Sequence, residues 1–166
     1  MAVRNVLKYP DDILKEEALE VTELNDNIKN IIQDLKDTML DAGHSTGIAA
    51  PQIGELVRII TIDASLNKKC KENHGFMVMI NPEIIEHSGM VTSREGCMSV
   101  PDYTGNVTRA ENIVVNYLDE NMQQHVLECS GFEAILIQHE TDQLNGMLFI
   151  DRVISKRTDL FKRKKY

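Results

Sequence analysis

The segment from Ser130 to Gly146 constrains this chain more than any other stretch. Ser130-Gly131-Phe132-Glu133 has the form of a capping box, Asn145-Gly146 has the form of a helix stop, and apolar side chains recur at helical spacing between them. These signals predict a helix over about 131–144. Phe132, Ile135, Leu136, His139 and Gln143 share one face of it, because residues three and four apart stack along a helix, and Glu140 lies beside them. A buried stripe ending in a histidine is, on its own, an ordinary core face.

A second period runs through Ile28, Ile31, Ile32, Leu35 and Met39, with Asn25 before it and Gly43 after it, and predicts an amphipathic helix over about 26–42. Between the two helices the pattern changes to strands. Leu56–Ile62 and Phe76–Ile80 are rich in β-branched and apolar residues, the second closed by Asn81-Pro82. Ile84-Ile85, Met90-Val91, then 112–118 and 123–127 around Asp119-Glu120-Asn121, continue a hairpin pattern. Helices at the two ends with antiparallel strands between them make an α+β fold rather than a doubly wound sheet. A short basic helix is expected after Ser155. With 166 residues, no repeat and no linker, the chain is expected to be one domain over 1–166.

Composition narrows the function classes. A net charge of −8 argues against sequence-specific nucleic-acid binding, which needs clustered Lys and Arg. The exception is the end, where Lys156, Arg157, Lys162, Arg163, Lys164 and Lys165 face only Asp159. Three cysteines, Cys70, Cys97 and Cys129, are too few and uneven for a secreted disulfide framework. No apolar run reaches membrane-span length and the start has no signal-peptide core, so a cytoplasmic location without membrane contact is expected.

Three short strings carry the chemistry. His139-Glu140-Thr141-Asp142-Gln143 resembles the H-E-x-x-H motif, in which two histidines one turn apart hold a metal, but its last position is Gln143. Thr46-Gly47-Ile48-Ala49-Ala50-Pro51-Gln52-Ile53-Gly54 joins the first helix to the first long strand. Glu95-Gly96-Cys97-Met98-Ser99-Val100-Pro101 sets a cysteine after a glycine. In this order, together with Tyr9-Pro10-Asp11 and Val107-Thr108-Arg109, they resemble the signature motifs of bacterial peptide deformylases over nearly the whole chain.

That resemblance implies a fold of antiparallel or mixed sheets packed around the metal-site helix. It also implies one divalent ion, physiologically Fe(II) with Zn or Ni as substitutes, on Cys97, His139 and Gln143. Glu140 would move the proton between water and leaving amine, while the Gln52 amide and the Met98 backbone N–H would stabilise the developing oxyanion. Gly47 would pair with the substrate backbone, and Phe132, Ile135 and Leu136 would wall the methionine pocket. Glu95 and Arg109 would pair to fix the cysteine loop.

The implied substrates are N-formylmethionyl peptides, and the basic tail resembles a helix by which some bacterial deformylases dock on the ribosome. Two departures stand out: Ser45 where the family usually has glycine, and Gln143, whose carboxamide oxygen is a weaker ligand than imidazole. Two readings follow, a deformylase with weakened metal binding and activity, or a catalytically inactive relative that keeps the peptide groove.

Overall fold

The computed structural model describes residues 2–163. Asn25 precedes the first helix, and its side-chain oxygen accepts the Ile28 N–H at 2.9 Å. The helix α1 runs Asp26–Ala42 and stops at Gly43, whose φ of 75° is a left-handed conformation that glycine takes without strain. Its buried Ile28, Ile31, Ile32, Leu35 and Met39 share one core cluster with Ile48, Ile53, Ile59, Val78 and Ile80. The apolar period read along 26–42 is therefore the face that packs.

Eight strands follow: β1 (Gly47–Ala49), β2 (Ile59–Asp63), β3 (Phe76–Ser88), β4 (Val91–Cys97), β5 (Val100–Arg109), β6 (Asn112–Leu118), β7 (Gln124–Ser130) and β8 (Leu160–Lys162). They make a five-stranded sheet in the order β1-β2-β3-β6-β7 and a three-stranded sheet in the order β4-β5-β8. Every pairing between these strands is antiparallel. The helix α2 (Gly131–Leu144) packs on β1, β2 and β7, and the side chains of β4 reach it from the other sheet. Burial runs around nearly its whole circumference, from Glu133 through Leu144 with Gln138 half-buried, so α2 is a central element and not a surface one. The result is the expected α+β fold with its site on a central helix.

Three local expectations are corrected. The capping box at α2 does not close: Ser130 is the N-cap but its hydroxyl makes no cap hydrogen bond. Glu133 turns away because His74 claims it, with Oε2 accepting the His74 N–H at 2.7 Å and Oε1 lying 2.6 Å from His74 Nδ1. Asn81-Pro82 does not end β3, which continues to Ser88 through a bulge where Asn81 adopts φ 52°. The Asn81 amide is satisfied outside the sheet, accepting from Val21 N and donating to Val21 O at 2.9 and 2.8 Å.

The helix expected after Ser155 is, in its described part, a turn and bend over 156–159 followed by the strand β8. Tyr103, Thr104 and Gly105 of β5 pair with Lys162, Phe161 and Leu160, and the Arg94 guanidinium lies 3.7 Å from the Phe161 ring centre. The open edge of β5 and the Arg94 cation over Phe161, both supplied from far away in sequence, outweigh a weak local helix signal. Lys164–Tyr166 lie outside the described residues. Among those described, no helix is long and apolar enough to cross a membrane.

Candidate active site

The site forms where α2 passes beneath the end of β4. One cavity of about 930 Å³ is lined by residues from every string singled out above: Gly47 and Gln52, then Cys97 and Met98, then Phe132, Ile135, Leu136, His139 and Glu140. Gln143 is not part of this lining; it lies one turn behind His139, 2 % exposed. The structure thus brings together all the side chains the motifs nominate, and sets Gln143 under the floor.

His139 is held from behind. Its Nδ1 donates to Glu95 Oε1 at 2.8 Å, which leaves Nε2 turned toward Cys97 and Gln143. Glu95 also accepts Arg109 Nε at 2.6 Å and Arg109 Nη2 at 2.9 Å, and Arg109 Nη1 continues to Asp142 Oδ2 at 2.8 Å. Arg152 closes the far side of Asp142. The expected Glu95–Arg109 pair is therefore present, with a task that spacing did not reveal, since the same carboxylate orients the imidazole.

These contacts set the charges. Burial works to raise Glu95, but hydrogen bonds from His139 and Arg109 outweigh it and hold the carboxyl at about 2. Burial works to lower His139, yet its bonds with Cys97 and Glu95 and the nearby Glu140 charge push it well above the ordinary histidine value. Glu140 is pushed up to about 7 by burial, against the pull of His139 and Arg109. A carboxyl near neutrality in a cavity can both take and return a proton.

Gln143 Nε2 lies 3.2 Å from Cys97 Sγ and 3.1 Å from His139 Nε2. Thiol, imidazole and carboxamide therefore converge on one point. Gln143 Oε1 has no hydrogen-bond partner although it is buried, and neither has Glu140 Oε1. A neutral His139 can accept from Gln143 Nε2 as placed, whereas a protonated His139, or a cation in front of it, requires the carboxamide turned over so that oxygen faces it. The donor set fits a divalent transition metal: one thiolate, one oriented imidazole and one oxygen with a spare lone pair.

Gln52 is fixed by its own backbone turn. Its Oε1 accepts the Ala49 N–H at 3.0 Å, and its Nε2 donates to Ser99 Oγ at 3.0 Å and faces Cys97 Sγ at 3.5 Å. Gly47 lets α2 approach closely: a Cβ there would meet Glu140 Oε2 at 2.9 Å and Leu136 Cδ1 at 3.0 Å, and those side-chain ends would have to shift. Ser45 Oγ donates to the Gly47 carbonyl at 2.9 Å and takes one of the two lone pairs of that acceptor on the strand that flanks the cavity. Ser99 and Asp142 escaped notice in the sequence. Ser99 sits inside the cysteine string, and Asp142 sits one residue before Gln143, but only the fold shows what each holds.

Residues 3–159 match the model of a family described as Polypeptide deformylase. The chain is 38% identical over 164 residues to a peptide deformylase of Thermodesulfovibrio yellowstonii, covering 99% of this chain and 97% of that protein. It is 42% identical over 151 residues to peptide deformylase 1 of Clostridium perfringens, covering 91% of this chain and 98% of that protein. Among solved structures, the Met-Ala-Ser-bound class I type b peptide deformylase of Acinetobacter baumannii superposes with a TM-score of 0.84 at 38% identity, covering 92% of this chain and 99% of that one.

Proposed function

This chain belongs to the polypeptide deformylase family, and on that footing we propose that it is a metallohydrolase removing the formyl group from the N-terminal formyl-methionine of new polypeptides. The observation that carries this reading is the convergence of Cys97 Sγ, His139 Nε2 and the Gln143 carboxamide, within 3.2 Å of the amide nitrogen, beside the buried carboxyl of Glu140. Cys97, His139 and Gln143 would hold a single divalent ion, Fe(II) by family resemblance with Zn or Ni as substitutes. When bound, such an ion supplies Lewis acidity that polarises a carbonyl and brings a water's pKa near neutral.

The chain's own residues do the rest. Glu140 takes a proton from the attacking water on its carboxylate and returns it to the departing amine. The Gln52 Nε2–H and the Met98 backbone N–H donate to the formyl oxygen as charge builds there; Ser99 and Ala49 keep Gln52 from rotating away. Gly47 offers backbone to an extended peptide, in the manner of a strand added to an edge. Phe132, Ile135 and Leu136 exclude water around the methionine side chain.

Gln143 sets this chain apart from the H-E-x-x-H pattern. A neutral amide oxygen binds such metals more weakly than imidazole. Since disturbing even an outer partner costs roughly 10–100-fold in affinity, the change should cost at least that. A second reading, a peptide-binding relative without turnover, draws on the same contact, because a Gln143 carboxamide packed between Cys97 and His139 closes the site without a cation. Docking on the ribosome would use the basic charge of the C-terminal tail, whose described end, Leu160–Lys162, is a strand rather than a helix.

The deciding experiment is formate release from formyl-Met-Ala-Ser by the anaerobically purified chain supplied with Fe(II), beside Gln143→His. Activity in the parent, raised in the variant, is expected. Turnover in the variant alone would favour the binding protein, and turnover in neither would end the hydrolase reading.

A further inference from the structure

At its other end α2 brings a second thiol, imidazole and carboxylate together. Cys129 is the next-to-last residue of β7, Glu133 stands in the first turn of α2, and His74 closes the loop before β3. The ligand atoms of these three all lie within 4.8 Å of one another. Around a tetrahedral zinc with bonds of about 2.0–2.3 Å, neighbouring ligand atoms sit roughly 3.3–3.7 Å apart, so sub-ångström to ångström shifts would seat the ion.

The surroundings suit a cation. Glu133 is 1 % exposed, and a carboxylate buried to that degree needs positive charge beside it. The partner in place is His74, bonded through both its backbone N–H and Nδ1. Cys129 is also buried, while the His74 side chain is 45% exposed, which gives an ion a way in from the loop side.

We propose that His74, Cys129 and Glu133 form a second divalent-metal site of the zinc class, structural in role, independent of the site on Cys97 and His139. Three protein ligands of mixed softness select zinc over magnesium or calcium. Binding displaces the Cys129 thiol proton into solvent and puts the ion where the hydrogen bonds now stand. It would tie the loop carrying Asn67, Lys68 and Lys69 to the start of α2, which carries Phe132; these four residues all line the cavity, so occupancy firms its rim.

The test is Co(II) titration of the full chain carrying Cys97→Ser, which removes the thiolate of the first site. A thiolate-to-cobalt charge-transfer band saturating at about one equivalent is expected, lost on adding Cys129→Ser and kept on adding Cys70→Ser. His74→Ala, a change at a half-exposed loop residue, should weaken the band's apparent affinity by at least about tenfold. No band in the Cys97→Ser chain, or a band that survives Cys129→Ser, overturns the proposal. Should Cys97→Ser fail to fold, competition of the unmodified chain with a zinc chelator serves: His74→Ala must weaken the binding of one zinc ion by at least about tenfold, and an unchanged isotherm overturns the site whether or not the first site binds metal.

Discussion

Replacing Glu95 with glutamine should destabilise the fold in a way that pH reports directly. The carboxylate accepts two hydrogen bonds from Arg109, at 2.6 and 2.9 Å, and one from His139, at 2.8 Å. These partners hold Glu95 at about 2 in the fold against an ordinary value of 4.5. At about 1.4 kcal/mol for each tenfold difference in proton affinity, that gap corresponds to about 3 kcal/mol. Because the folded value lies below the unfolded one, the contribution is complete above about pH 4.5 and is lost as pH falls toward about 2. Urea unfolding of parent and Glu95→Gln across this range measures it, and the difference between them cancels the other carboxylates. Near pH 7 the variant should be less stable by about 3 kcal/mol, with the gap closing progressively below pH 4.5. A gap under about 1 kcal/mol at neutral pH, or one that stays constant into acid, would refute the claim that this buried pairing stabilises the charged form.

Glu140→Gln keeps the shape of the cavity and removes the proton carrier, so deformylation should fall by about 10²–10⁴ in kcat with KM little changed. Gly47→Ala sets a methyl 2.9 Å from Glu140 Oε2 and 3.0 Å from Leu136 Cδ1, and displacing Glu140 should lower kcat/KM by about 10²-fold while the unfolding midpoint moves little. Phe149→Ala empties a site that is 1 % exposed and faces the His139 ring at 6.3 Å between centres, and should cost about 3–5 kcal/mol in chemical denaturation.

What could be read from the chain was what is local. The helix over 26–42 was legible because its cap, its period and its terminating glycine lie within twenty residues of one another. The three motif strings were legible as chemistry, and the fold brings their nominated residues except Gln143 to one cavity because α2 runs beneath β4. The failures are all long-range. Glu133 leaves its capping box for His74, fifty-nine residues away in sequence. The segment Leu160–Lys162 becomes a strand because β5 offers it an edge. Asn81 continues a strand that Pro82 should end, because Val21 satisfies its amide. The double role of Glu95 belongs to the same class, since nothing within its own string indicates that His139 will stand 2.8 Å away.

The central claim is that Cys97 and His139, with Gln143 behind them, grip a single transition-metal ion. Anomalous diffraction from anaerobically grown crystals soaked in Fe(II), Ni(II) or Zn(II), recorded on both sides of the metal edge, tests it most directly. The expected result is one peak within bonding distance of Cys97 Sγ and His139 Nε2, about 2.0–2.3 Å from each, with Gln143 Oε1 turned toward it. A map with no peak there, and Gln143 still donating to both side chains, would contradict the account.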